Sequence, residues 1–258
     1  MKKVLAVLLA VIMICGMTAC GSEKSDMDYV KDNGKLVVGI TDFAPMDYKD
    51  DKGNWIGFDA DMATAFAKSL GVKVEFVEID WDNKVMELYG KSVDCIWNGM
   101  TLTDEVTSAM DCSNAYCNNA QVVIVPEKDA DKYQDEKSLS KLKFAAEAGS
   151  AGESVLKEKK LEVTSVKAQS DALMEVASGT SDAAVIDSLM AAAMVGEGTG
   201  YEDLTYTIGL NDEKYGVGFR KGSDLVDKLN EFFKTSYKDG TMKKLAKKYG
   251  VDAALIEQ

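Results

Sequence analysis

The chain has 258 residues, 30 lysines and arginines against 43 aspartates and glutamates, a net charge of −13, and no histidine. So large an acidic excess repels phosphate backbones and excludes nucleic acid as a partner. Without histidine there is no Ser-His-Asp or Cys-His nucleophile and no histidine-bearing zinc site, and no cofactor or metal is expected.

Met1-Lys2-Lys3 and the apolar run from Val4 to Ile14 form a basic n-region and an h-region too short to span a bilayer, so residues 1–19 are expected to be a signal segment. The run closes on Met17-Thr18-Ala19-Cys20, small residues ahead of a cysteine, as bacterial lipoprotein signal peptides present to their processing enzymes. Cys20 is therefore the expected lipidation site, with the protein held on the extracytoplasmic face of the cell membrane through its acyl chains alone. Each buried methylene contributes about 0.8 kcal/mol, so two chains anchor far better than one. The plain alternative is an ordinary signal peptide with a chance cysteine. Removal of residues 1–19 takes Lys2 and Lys3 and no acid, leaving 28 bases against 43 acids, a net charge of −15. Residues 20–33 are expected to be a solvated tether, small and charged in Gly21-Ser22-Glu23-Lys24-Ser25-Asp26.

From Lys35 onward, compact apolar runs alternate with amphipathic stretches. Leu36–Ile40 reads as a strand, Asp59–Ser69 as a helix ending at Gly71, and Val72–Val77 as a strand. Asn83–Tyr89 follows as a helix closed by Gly90, then Val93–Trp97 as a buried strand. The cycle starts again after Gln121–Val125, with helices over 138–142, 151–158 and 170–178 and strands over 143–146, 163–166 and 183–186. Two α/β units in series result, each a mostly parallel, helix-covered sheet. Residues 225–249 are helical, broken at Asp239-Gly240, and the pattern does not say which unit they cover. No period of 20–50 residues supports a solenoid or propeller. Cys95, Cys112 and Cys117 are odd in number and read as small buried hydrophobes, with a Cys112–Cys117 bridge the open alternative.

The string Gly57-Phe58-Asp59-Ala60-Asp61-Met62-Ala63 resembles a signature of the polar amino-acid-binding proteins of ABC importers, the extracellular solute-binding protein family 3. Trp81-Asp82, Gly90-Lys91-Ser92-Val93-Asp94 and Asn98-Gly99-Met100-Thr101-Leu102-Thr103 agree with it in order and spacing. So do Gly149-Ser150-Ala151, Gly179 to Asp187, Tyr215 to Gly222 and Asp239 to Leu245. The resemblance implies an α/β, two-lobed periplasmic-binding-protein type II fold with hinge strands and a ligand cleft. Lobe one would be 34–118, lobe two 119–216, and 217–258 a return to lobe one. It further implies a monomeric binding protein, not an enzyme, that closes on a small polar solute, an amino acid or amine, and delivers it to ABC permease subunits.

By the same resemblance Phe43, read as exposed in its loop, forms an aromatic wall that Trp81 joins. Asn98, Gly99 and Thr101 offer a side-chain polar group, backbone and a hydroxyl. Ser150 and Ala151 open a helix whose N–H groups suit a carboxylate. Asp187 ends a strand where the family acid receives an α-ammonium. Glu147 stands where relatives reach the ligand side chain, with Asp42 near Phe43 as a further acid. The family's carboxylate-clamping arginine is replaced by Val106, and the chain's one arginine, Arg220, reads as a surface charge. An acid-rich cleft without that clamp points to a ligand carrying positive charge or several N–H donors. Cyclohexadienyl dehydratases also resemble these proteins, so an enzyme using Glu147 as general acid is the alternative.

Overall fold

A computed structural model describes residues 24–258, so the expected signal segment, residues 1–19, and the expected lipidation site, Cys20, lie outside the described residues. Helix α1 (Asp26–Asn33) leads into β1 (Lys35–Ile40), a small hairpin of β2 (Tyr48–Lys49) and β3 (Trp55–Ile56), and helix α2 (Phe58–Ser69). Strand β4 (Lys73–Glu78), α3 (Lys84–Tyr89), β5 (Cys95–Thr101), α4 (Asp104–Ala109) and β6 (Asp111–Cys112) follow. The chain crosses through β7 (Cys117–Asn119) into β8 (Gln121–Pro126), β9 (Lys143–Glu147), α5 (Ala151–Glu158) and β10 (Glu162–Val166). It continues through α6 (Gln169–Ser178), β11 (Ala183–Asp187), α7 (Ser188–Met194) and β12 (Leu204–Gly209). It returns in β13 (Glu213–Phe219), α8 (Leu225–Lys238) and α9 (Thr241–Lys248).

The first sheet runs β4-β1-β5-β13-β6, with β7 also on β13, and the second runs β10-β9-β11-β8-β12. Strands β1, β4 and β5 are parallel, as are β9, β10 and β11. The strands that make or flank the crossings are antiparallel to their neighbours: β13 to β5, and β8 to both β11 and β12. The sheets, expected to be mostly parallel, are therefore mixed. Strand β11 is buried along its whole length because helices cover both faces, which is why it reads as an unbroken apolar run. In α8, Leu225, Leu229 and Phe233 recur at helical spacing, and with Met242 and Ala246 of α9 they are fully buried against lobe one. Phe233 meets Trp97 and Tyr116 with ring centroids 5.6 Å apart in each pair. Burial of each such side chain contributes about 1.5–3 kcal/mol.

Four expectations are corrected. Residues 26–33 are not tether but a helix, capped by Ser25 and ended by Gly34 in the left-handed region, with Val30 fully buried. Arg220 is not a surface charge. It is 7% exposed, donating through Nε to Asp26, through Nη1 to the carbonyls of Leu88 and Val93, and through Nη2 to Asp94. Two acids and two carbonyls compensate its desolvation, and pattern alone cannot see them. Lobe one resumes at Glu213 rather than 217, because Glu213 and Tyr215 already pair with Asn119 and Cys117 in the first sheet. The helix expected over 138–142 is instead 3-10 turns over Glu136–Lys141 followed by an extended Leu142. All three described cysteines are free thiols, so Cys112 and Cys117 are not bridged.

Candidate functional site

The carboxyl ends of β5, β9 and β11 converge on a cleft of about 380 Å³ between the lobes, where open α/β sheets present ligand sites. The lobes are closed on one another. A Cβ on Gly149 would fall 2.7 Å from Cα of Asp82, so this turn, at φ +70°, needs glycine for the lobes to meet. Lys84 Nζ donates to the Gly149 carbonyl at 2.9 Å, and Lys167 pairs with Asp80 at 3.3 Å on the rim.

Eight of the nine residues expected in the site line this cleft: Trp81, Asn98, Gly99, Thr101, Glu147, Ser150, Ala151 and Asp187. Phe43 does not, and it is 2% exposed rather than open to solvent. Its ring lies edge-on to Tyr215 at 6.3 Å and against the bare Cα of Gly99, where a Cβ would come within 2.4 Å. The missing side chain of Gly99 draws the aromatic inward. Asp42 is exposed and outside the cleft.

Asp187 sits at the end of β11 in a net of donors. Its Oδ1 accepts from Tyr215 Oη at 2.7 Å, from Gln121 Nε2 at 3.0 Å and from Asn119 Nδ2, and its Oδ2 accepts from Gln169 Nε2. Gln169 also receives the backbone N–H of Asp187 at 2.9 Å, fixing its amide. Glu213 shares the same amides, accepting from Asn119 at 2.6 Å and Gln121 at 2.8 Å and from Thr101 Oγ1 at 2.8 Å. Burial, and then the Glu213 charge, push the Asp187 carboxyl up to about 8. The hydroxyl of Thr101 is thereby turned toward the hinge.

Glu147 ends β9, 3% exposed, with Oε1 lacking any hydrogen-bond partner. Burial and then repulsion from Asp187 raise it to about 8, against an opposing pull from Lys84. Ser150 caps α5 by accepting from the Glu153 N–H at 3.0 Å, and Asn98 is occupied by Thr41 through both ends of its amide, at 2.8 Å each. The Gly99 N–H points away from the cleft to Asp59 Oδ2 at 2.7 Å, which also accepts from Tyr116 Oη at 2.6 Å. Burial lifts Asp59 to about 7, and burial beside Asp59 lifts Asp47 well above the carboxylate range, so two acids back the site.

Lys84, Gln121, Gln169 and Tyr215 also build the site, and none of them stands out in the sequence. The amides carry no sequence signal, since an isolated glutamine ahead of an apolar strand or at a helix start looks like ordinary surface. Tyr215 lies in a recognised string without an assigned role. Lys84 resembles the polar face of a short helix, and only lobe closure buries it.

Two α/β lobes joined by paired strands, with a polar cleft at the strand ends, define a hinged solute-binding protein. The chain belongs to the bacterial extracellular solute-binding proteins, family 3, whose model matches residues 36–252. It is 32% identical over 256 residues to the "Arginine-binding extracellular protein ArtP" of Bacillus subtilis (strain 168), covering 96% of this chain and 98% of that protein. An ABC uptake transporter substrate-binding protein from Streptococcus pneumoniae, solved with bound histidine, superposes with a TM-score of 0.81 at 31% identity, over 89% of this chain and 98% of that one. The ancestral amino acid-binding protein AncCDT-1, described as a precursor of cyclohexadienyl dehydratase, gives 0.80 at 34% identity, over 87% and 99%.

Proposed function

We infer that this protein captures an amino acid with a cationic side chain outside the cytoplasmic membrane and hands it to the permease subunits of an ABC importer. One observation carries the ligand class: Glu147, buried in the cleft with an unpartnered carboxylate oxygen. A buried acid with no donor is costly until something supplies one. An α-ammonium at Asp187 and a second cation at Glu147 would relieve both acids, which repel each other. The relatives that bind arginine or histidine are consistent with such a ligand. Calorimetry with L-arginine, L-lysine, L-histidine, L-glutamine, L-glutamate and a polyamine tests this, and selective binding of glutamate would sink it.

The protein works as a monomer held by a lipid on Cys20. Replacement of Cys20 by alanine is expected to release it from the cell surface into the medium, and retention at the membrane would remove the anchor from the proposal. The dehydratase reading draws on one observation, an acid at about 8 and therefore protonated at neutral pH, facing the cleft. Turnover of prephenate or arogenate by the purified protein would establish it. Stoichiometric amino-acid binding without turnover is expected.

A further inference from the structure

Lys84 opens α3 with its side chain turned into the cleft, 8% exposed. Its Nζ donates to the carbonyls of Trp81 at 3.1 Å and Gly149 at 2.9 Å and lies 4.8 Å from the centroid of the Trp81 ring. An ammonium has three N–H donors, and these carbonyls take two. Among the described residues it forms no ion pair, although Glu105, Glu147 and Asp82 all act on it electrostatically. The other basic groups near the site are otherwise engaged. Lys157 is largely exposed and bound to Glu153 at 2.8 Å, and Lys167 on the rim is paired with Asp80 at 3.3 Å. Val106 presents only apolar surface on the same wall. The cleft thus holds one desolvated cation with a free donor, facing two acids on the opposite lobe.

We propose that Lys84 is the specificity-determining receptor for the ligand's carboxylate and also the tie between the lobes, one N–H on the ligand and another on the Gly149 carbonyl. This rests on the ligand being an amino acid. The arrangement orders the ligand by charge, its anionic end against lobe one at Lys84 and its cationic groups toward Asp187 and Glu147 of lobe two. Recognition and closure then run through a single side chain: an amine lacking the carboxylate can reach the acids but leaves the Lys84 ammonium buried without its counter-ion.

The test compares L-arginine with agmatine, its decarboxylated form, by calorimetry on the unaltered protein, Lys84→Met and Lys84→Arg, with thermal melts confirming that each variant folds. The unaltered protein should prefer arginine by tenfold or more, the scale of one hydrogen bond between charged groups. In Lys84→Met that preference should collapse to within about threefold, because arginine binding falls much further than agmatine binding. Lys84→Arg should retain it. An equal loss for both compounds would make Lys84 a tie only and overturn the proposal, as would an unchanged preference. If lysine or histidine is the tighter ligand, cadaverine or histamine replaces agmatine. If no amino acid in the panel binds the unaltered protein, the functional reading itself fails, a result separate from any change in ratio.

Discussion

The hydroxyl of Tyr215 donates to Asp187 Oδ1 across 2.7 Å, and the two residues stand in the sheets of different lobes. The hydrogen bond therefore joins the hinge to the acid at the heart of the cleft. Tyr215→Phe removes one donor from a buried carboxyl, a loss of about 1.5–3 kcal/mol where the acid is charged. Ligand affinity is expected to fall about tenfold or more, and the empty protein to open, read by calorimetry and small-angle scattering. Unchanged affinity and scattering would show the contact to be incidental.

Gly99→Ala should destabilise the fold. The residue has φ +55°, and a Cβ would sit 2.4 Å from Cε1 of Phe43, a ring with no room to retreat. Backbone strain and overpacking together cost about 1–3 kcal/mol. Thermal unfolding should show a Tm several degrees lower; a variant as stable as the parent would mean that Phe43 can move.

Stability without ligand should depend on pH with a definite sign. Glu147 and Asp187 are raised to about 8 from ordinary values of 4.5 and 3.8. The unfolded chain loses these protons first, so the stability is fully present below the ordinary values and is lost as pH climbs through 8. Melts at pH 5 and pH 8.5 should differ in that direction, and Glu147→Gln should flatten the difference. A cationic ligand that favours the ionised acids must release protons near neutral pH. Calorimetry in two buffers of different ionisation heat will detect them, and no buffer dependence would contradict the assignment.

Arg220→Met should leave Asp26 and Asp94 buried without their cation, at a cost of about 3–5 kcal/mol. Urea unfolding is expected to shift to lower denaturant, and limited proteolysis should cut first near α1. Retention of full stability would mean that α1 is held by Val30 and Met27 alone.

Much of the βα skeleton is legible in the sequence because its strands are apolar runs and its helices end on Gly71, Gly90 and Gly179. Strands β12 and β13 are not. Tyr215–Phe219 is interrupted by glycines, and its burial comes from partners far away in the chain. The acids Glu147 and Asp187 are visible at strand ends, but the donors that hold Asp187 come from Asn119, Gln121, Gln169 and Tyr215, which only the closed fold assembles. Phe43 beside Pro45 looks like a loop residue open to solvent until Gly99 is found behind it. Arg220 likewise takes its meaning from Asp26, almost 200 residues earlier.

The grip of Arg220 on Asp26 also limits how far a lipidated molecule could roam. With Cys20 as the anchored residue, six peptide steps separate it from Asp26, a leash of at most about 20 Å when fully stretched. A body so anchored would swivel and drift along the bilayer without rising far above the headgroups. Under that proposed anchoring, meeting a permease would be a search in two dimensions, governed by lateral diffusion and surface density. Spacers of increasing length after Ser22 would then slow uptake, and uptake indifferent to spacer length would exclude that consequence.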